Sequence, residues 1–377
     1  MRRLALLSII LNVSVVCAGE EAKLDLKALK GQVKSSIESG ITFLRTQQNK
    51  DDGSYGPQRD VGVTALVLSA IVNSPAKYRP ADGPFVRKAV EFLLDNVAED
   101  GSIRNKKDPS LANYKTCASI LALVSIEDPK LKPIIEKARK YIIGAQCSED
   151  SGYDSEKDKN AYGGFGYGGG QRPDLSNTQF ALSALKAAGL EESDPAFKRV
   201  VAFLNRCQNL SETNDMPTAG NDGGGFYSPV ESKADKVKLP NGKEIYRSYG
   251  SMTYALLRCF LLAGIPKDDP RVKAAHAWLR DHYTLDENPE MGNQGLYYYY
   301  LTMAEALKLY GDPYIVTKDG QQHHWAAELA QKLVSLQKSG SWANNTGRFW
   351  EDDKTLCTAY AVLTLDICYD LLDKPGK

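Results

Sequence analysis

Segments carrying charges at helical spacing alternate along this chain with segments almost free of charge. "FVRKAVEFLLDN" (85–96) is of the first kind; "TALVLSAIV" (64–72) and "TAYAVLTLDI" (358–367) are of the second. The first pattern covers a core with one face, whereas a helix apolar all round must be buried between other elements. The alternation occurs six times, each time with a glycine-aromatic stretch and a polar loop between the two helices. Gly53, Gly101, Gly164, Gly225, Gly295 and Gly340 anchor the six copies. Helix lengths are kept while the loops vary, so insertions belong to the connections. An open solenoid needs a polar end repeat, but the last inner segment, "LCTAYAVLTLDICY" (356–369), is as apolar as the others. The pattern therefore predicts an all-α fold, an α/α toroid of six helical hairpins and about twelve helices. Charged helices form its outer ring and apolar helices its inner ring. Strand signals are scarce. Thr64, Thr116, Thr178, Thr253, Thr302 and Thr358 recur at comparable inner positions, where threonine bonds back to a carbonyl one turn earlier.

One stretch raises a question of chemistry. "GGFGYGGGQRPDLSNTQFALSAL" (163–185) contains a formal G-x-G-x-x-G at Gly164, Gly166 and Gly169. A dinucleotide loop needs a strand before it and a helix directly after it. Here the polar "SEDSGYDSEKDKNAY" precedes and the turn "QRPD" follows, so the glycines read as a loop. The next helix is expected to begin at Ser176, with Gln179 completing a capping box.

Composition narrows the function classes. Lysine plus arginine and aspartate plus glutamate both number 47, giving zero formal net charge, so no nucleic acid is expected as partner. The N-terminus pairs two arginines with an apolar stretch from Leu4 to Val16 and small residues near Ala18. This is the layout of a signal peptide over residues 1–18, with cleavage near Ala18 and export to the periplasm or beyond. Residues 19–377 then form a single toroid domain. No later stretch is long and apolar enough for a transmembrane span. Six cysteines remain after residue 18; Cys147 and Cys207, at the ends of successive outer helices, are the one pair to consider for a disulfide.

"LQKSGSW" (336–342) looks like a degenerate QW repeat of the squalene and hopene cyclases. "GGFGYGGGQRPDLSNTQFALSALKAAGL", "RSYGSMTYALLRCFLLAGI" and "NQGLYYYYLTMAEALKLYG" closely resemble exported bacterial prenyltransferase and squalene oxidase repeat proteins. The resemblance spans about Leu26 to Leu372 and implies the toroid shared by triterpene cyclases and protein prenyltransferase β-subunits. It does not carry their chemistry along. The D-x-D-D acid of class II cyclases is absent, its nearest fragment being "WEDDK" (350–354). "DDKTL" and "DDPRV" lack the last aspartate of D-D-x-x-D. The four histidines His276, His282, His323 and His324 do not reproduce the prenyltransferase zinc site. No metal and no cofactor are expected.

A pocket in such a ring opens most naturally where the inner helices begin. Residues near those starts include Arg59, Tyr114, Arg172 and Tyr246, and the following candidates are drawn from the mouth and the helices below it. Asp353, Asp174 and Glu305 are candidates for acid–base work. Tyr249, Arg247, Tyr297, Tyr298, Tyr300, Trp350, Asn177 and Asp60 are candidates for ligand binding. Aromatic faces stabilise cations and stack on apolar or sugar rings, and Arg247 can clamp a carboxylate or a phosphate. Each aspartate has a competing role as a helix cap, and the tyrosines one as a packing layer. Three functions stay open: binding, with or without transformation, of an isoprenoid or other hydrophobic small molecule; a scaffold engaging a partner protein; and a polysaccharide hydrolase or lyase.

Overall fold

The structure is a computed structural model that describes residues 25–168 and 172–373. The signal peptide expected over residues 1–18 lies outside the described residues, as does Gly169. Twelve α-helices are present among the described residues. The outer set is α1 (Leu26–Gln47), α3 (Pro84–Asp95), α5 (Lys132–Gly144), α7 (Pro195–Arg206), α9 (Pro270–Asp281) and α11 (Trp325–Leu336). The inner set is α2 (Val61–Asn73), α4 (Ala112–Ile126), α6 (Leu175–Ala187), α8 (Gly250–Leu262), α10 (Leu296–Tyr310) and α12 (Lys354–Leu371). Two small antiparallel hairpins, β1–β2 (Lys236–Lys238 with Glu244–Tyr246) and β3–β4 (Ile315–Val316 with Gln322–His323), lie in the connections.

Each inner helix packs on the next, and α12 returns to α2, so the ring closes. α1 packs against α11 and α12, joining the first described helix to the last pair. The outer helices begin with strong start signals. Pro84, Pro195 and Pro270 occupy first positions, where a missing N–H costs nothing. Asp25, Asp194 and Asp269 cap their helices through side-chain oxygens. Helix α7 buries Phe197, Val200, Phe203 and Leu204 and turns Lys198 outward, whereas α8 buries ten of its thirteen residues.

The recurrent threonines hold each connecting segment to its inner helix. Thr64, Thr116, Thr178 and Thr253 donate to the carbonyl one turn earlier. Their hydroxyl oxygens also accept the N–H of Tyr55, Ile103, Phe165 and Gly225, and Thr358 accepts that of Trp342. At the outer side the glutamines take over. Gln48, Gln146 and Gln208 each donate to two carbonyls, one in the loop and one in the first turn of the next outer helix. Gln337 donates to Ser36 O and accepts from Ser36 Oγ, which carries the same joint across the ring closure. Trp342 is buried, and its indole N–H donates to Leu333 O.

These joints settle the role of the glycine-rich loop. Gly163 has φ of +86°, and a Cβ there would collide with the carbonyl of Arg199 on α7. Gly340, at φ +77°, meets α1 in the same way, its added Cβ lying 2.9 Å from Ser39 O. Glycine is required because the loop backbone lies directly on the neighbouring helix. Two expectations need correction. The cap of α6 is Asp174, not Ser176, because the carboxylate of Asp174 accepts the Asn177 N–H; Ser176 and Gln179 are freed for another contact. Cys147 and Cys207 are not bridged to each other: both are buried thiols, and that of Cys147 is hydrogen-bonded with Tyr153.

Candidate functional site

The inner helices all start at one end of the ring, and the glycine-aromatic loops cover those starts. The threonine bonds fix a common register, which makes Tyr167 and Tyr227 equivalent residues of the third and fourth copies. Tyr167 O accepts the Asn113 N–H at the start of α4, and Tyr227 O accepts the Leu175 N–H at the start of α6. The two side chains turn toward each other, and their hydroxyls share a hydrogen bond. Beside them lies a cavity of about 320 Å³ bordered by Tyr153, Asn160, Tyr167, Arg172, Pro173, Tyr227, Ser228, Val230 and Glu231.

Asp174 sits directly behind this cavity and is 1% exposed. One of its oxygens accepts the Asn177 backbone N–H at 2.8 Å, and the other accepts the Asn177 amide at 2.7 Å. Asn177 in turn accepts from Asn113 Nδ2 at 3.0 Å. The Tyr227 hydroxyl also bonds to Asp174. Burial pushes the Asp174 carboxyl up to about 6, against the pull of its Asn177 and Tyr227 bonds. Asp174, Tyr227 and Tyr167 thus form an unbroken hydrogen-bonded chain from the interior to the cavity wall.

The axis below is filled with aromatic side chains. Tyr298 of α10 reaches across the ring, and its hydroxyl meets Ser176 Oγ at 2.8 Å and the Gln179 amide on α6. This is the contact for which those two residues are used. Tyr298 also lies near Tyr360, centroids 6.2 Å apart, and Tyr114 packs edge-on against Phe180 and Tyr167 at 5.3 and 5.9 Å. Tyr249, at the start of α8, is 3% exposed beside this group. Burial raises the hydroxyl pKa of Tyr114, Tyr249, Tyr298 and Tyr360, so all four stay neutral.

The other sequence candidates occupy separate places. Tyr297 donates to Ala343 O at 3.4 Å and Tyr300 to Leu285 O at 2.6 Å, both carbonyls of connecting loops. Asp60 caps α2 through the Val63 N–H and lies 3.4 Å from the buried Lys115 ammonium. Asp353 caps α12 through the Thr355 N–H. Asp60, Asp174 and Asp353 each serve a different helix. Arg247 pairs with Glu290 at 2.9 Å. Glu305 pairs with Arg258 at 2.6 Å; desolvation raises its carboxyl pKa while Arg258 opposes the rise. Trp350 is 65% exposed and, with Phe349, has a left-handed backbone.

Three residues escaped the sequence reading. Tyr167 and Tyr227 stand in the glycine-aromatic stretches, and the signal that could have found them is the copy-to-copy register. Glu351 had no such signal. It is fully buried, accepts the Tyr298 N–H at 2.8 Å and the Asn344 amide at 2.6 Å, and so caps α10 from another part of the chain. Gly295, at that helix start, has no side chain to do so.

Residues 56–228 match the squalene-hopene cyclase C-terminal domain. No curated protein matches the chain. Among solved structures, it is similar to the apo type II terpene cyclase MstE from Scytonema. Identity is 13%, with 91% of this chain and 99% of that one covered, at a TM-score of 0.52. A protein from Actinoplanes is 15% identical over 90% and 99% of the two chains, at 0.49. A possible GH105 member from Salmonella enterica is 11% identical over 97% and 99%, at 0.48. The closed ring of six inner helices is an α/α toroid like that of the type II terpene cyclase, and residues 56–228 within it are similar to the squalene-hopene cyclase C-terminal domain.

Proposed function

We propose that this protein is exported and that the tyrosine-lined mouth of its toroid binds a small hydrophobic ligand of isoprenoid type. The observation that carries the reading is the set of neutral phenols gathered around one buried carboxyl at the wall of a cavity. The cavity's 320 Å³ lies at the small end of small-molecule sites. Tyrosine faces offer apolar area and attract positive charge, and their hydroxyls fix orientation. The match to a cyclase domain supports an isoprenoid body.

The chemistry on offer at this wall is modest. With its carboxyl at about 6, Asp174 is partly protonated near neutrality and can hand a proton to Tyr167 through Tyr227. It has no carboxylate neighbour of the D-x-D-D kind, so it is a weak acid compared with the one that motif builds. Binding is therefore the core of the proposal, and any transformation is limited to groups that a weak acid can protonate.

The test is a native mass spectrum of the chain from Gly19, produced in an exporting host. A stoichiometric adduct of isoprenoid mass, lost in Tyr167→Ala, is the expected result. A sugar adduct would replace this reading by the carbohydrate one. A bare polypeptide, unchanged after incubation with geraniol, would replace it by the scaffold.

A further inference from the structure

We propose that the cavity selects a carboxylic acid: Arg172 takes the carboxylate, and the body lies against Tyr167, Tyr227, Pro173 and Val230. This deepens the ligand reading above and rests on it for the location of the site, but it concerns the ligand's head group rather than its body.

Besides the neutral phenols, two carboxyls and one guanidinium bear on the cavity. Glu231 is already neutralised by the Lys233 ammonium, which also lies 4.3 Å over the Tyr227 ring. Asp174 is behind the wall and already bonded at both oxygens. Arg172 borders the cavity and makes no ion pair among the described residues. It is also held in a left-handed conformation, φ +49°, which an L side chain adopts at a cost. Next to it stands Tyr167, close enough for the guanidinium to lower the hydroxyl's pKa.

A guanidinium with no ion pair among the described residues, next to neutral phenols, matches one planar anion. Its two parallel N–H groups suit a carboxylate, and a phenol can donate a further bond to the same oxygens. A single arginine, with Glu231 on the same wall, is a poor match for a doubly charged head. The apolar part of the wall then receives a short hydrocarbon body.

Asp174 makes the site sensitive to protons. A bound carboxylate near the Tyr167–Tyr227 pair raises the carboxyl pKa of Asp174 further, so binding takes up a proton. Affinity should therefore increase as pH falls from 7.5 to 5.5, and Asp174→Asn should flatten that dependence. Asn is a good helix cap, so α6 is retained.

The experiment is calorimetric titration of the full chain with three probes: geranic acid, geraniol and octanoic acid. Geranic acid is expected to bind about 10- to 100-fold more tightly than geraniol, the range of one charge-assisted arginine contact. Arg172→Gln should remove that difference, and Arg172→Lys should restore part of it. Arg172 is exposed, so both variants should fold, which far-UV circular dichroism checks. Equal binding of acid and alcohol, no binding of any probe, or an Arg172→Gln variant that still prefers the acid would overturn the proposal. Octanoic acid binding as well as geranic acid would keep the carboxylate and discard the isoprenoid body.

Discussion

Two buried carboxyls illustrate what single residues do here. Asp174 has every oxygen bonded, whereas both oxygens of Asp366 on α12 are buried without a hydrogen-bond partner. Desolvation raises the pKa of both. A carboxyl raised in the folded state is protonated there while the unfolded chain has already lost its proton, so stability falls as pH rises above the unfolded value. For Asp174 the fall runs from about pH 4 to about pH 6 and amounts to about 3 kcal/mol. Urea unfolding of Asp174→Asn should therefore show the variant gaining on the wild type by that amount between pH 4 and pH 7. A constant difference would remove the shift. Asp366→Asn should gain in the same direction, because burial raises the Asp366 carboxyl and no hydrogen bond opposes the rise.

At the scale of elements, the strength of the fold lies in the joints between loops and outer helices. Gln208 donates to the carbonyls of Gly223 and Arg271; Gln208→Ala strands both and should cost about 1–3 kcal/mol. Trp342→Ala empties a fully packed site beside Gly40 and should cost about 3–5 kcal/mol. Gly163→Ala should be costly as well, by at least about 1–3 kcal/mol of backbone strain, since the loop must lift off Arg199. Chemical denaturation of the three variants gives these numbers directly. Near-zero effects would mean that the outer ring is held by helix packing alone. The sequence signals at this scale were strong: proline and aspartate starts, six charged and six apolar segments, and a threonine at the same place in each copy. They were weaker at α6, where Ser176 and Gln179 imitate a capping box while Asp174 holds the position.

The whole molecule is a ring, and its closure is a testable property. α1 lies against α11 and α12, and Lys30 pairs with Asp373. A circular permutant that joins Asp25 to Asp373 by a short flexible linker and opens the exposed loop at Glu191–Glu192 should keep its helical circular dichroism and a single cooperative melt. An open array would lose its end contacts and melt in stages.

Periodicity determined the helices, their sorting into an outer and an inner ring, and the closed topology, because burial of an all-apolar helix demands neighbours on every side. Composition separately argued against nucleic acid as a partner. Tertiary structure decided which polar groups meet. Tyr167 and Tyr227 are 60 residues apart, and Tyr298 lies 122 residues from Ser176; nothing local in either pattern records the pairing. The same holds for Glu351, which caps a helix that begins 55 positions before it. Local chemistry fixes a residue's own helix, while the distance across the ring is set by how twelve helices pack.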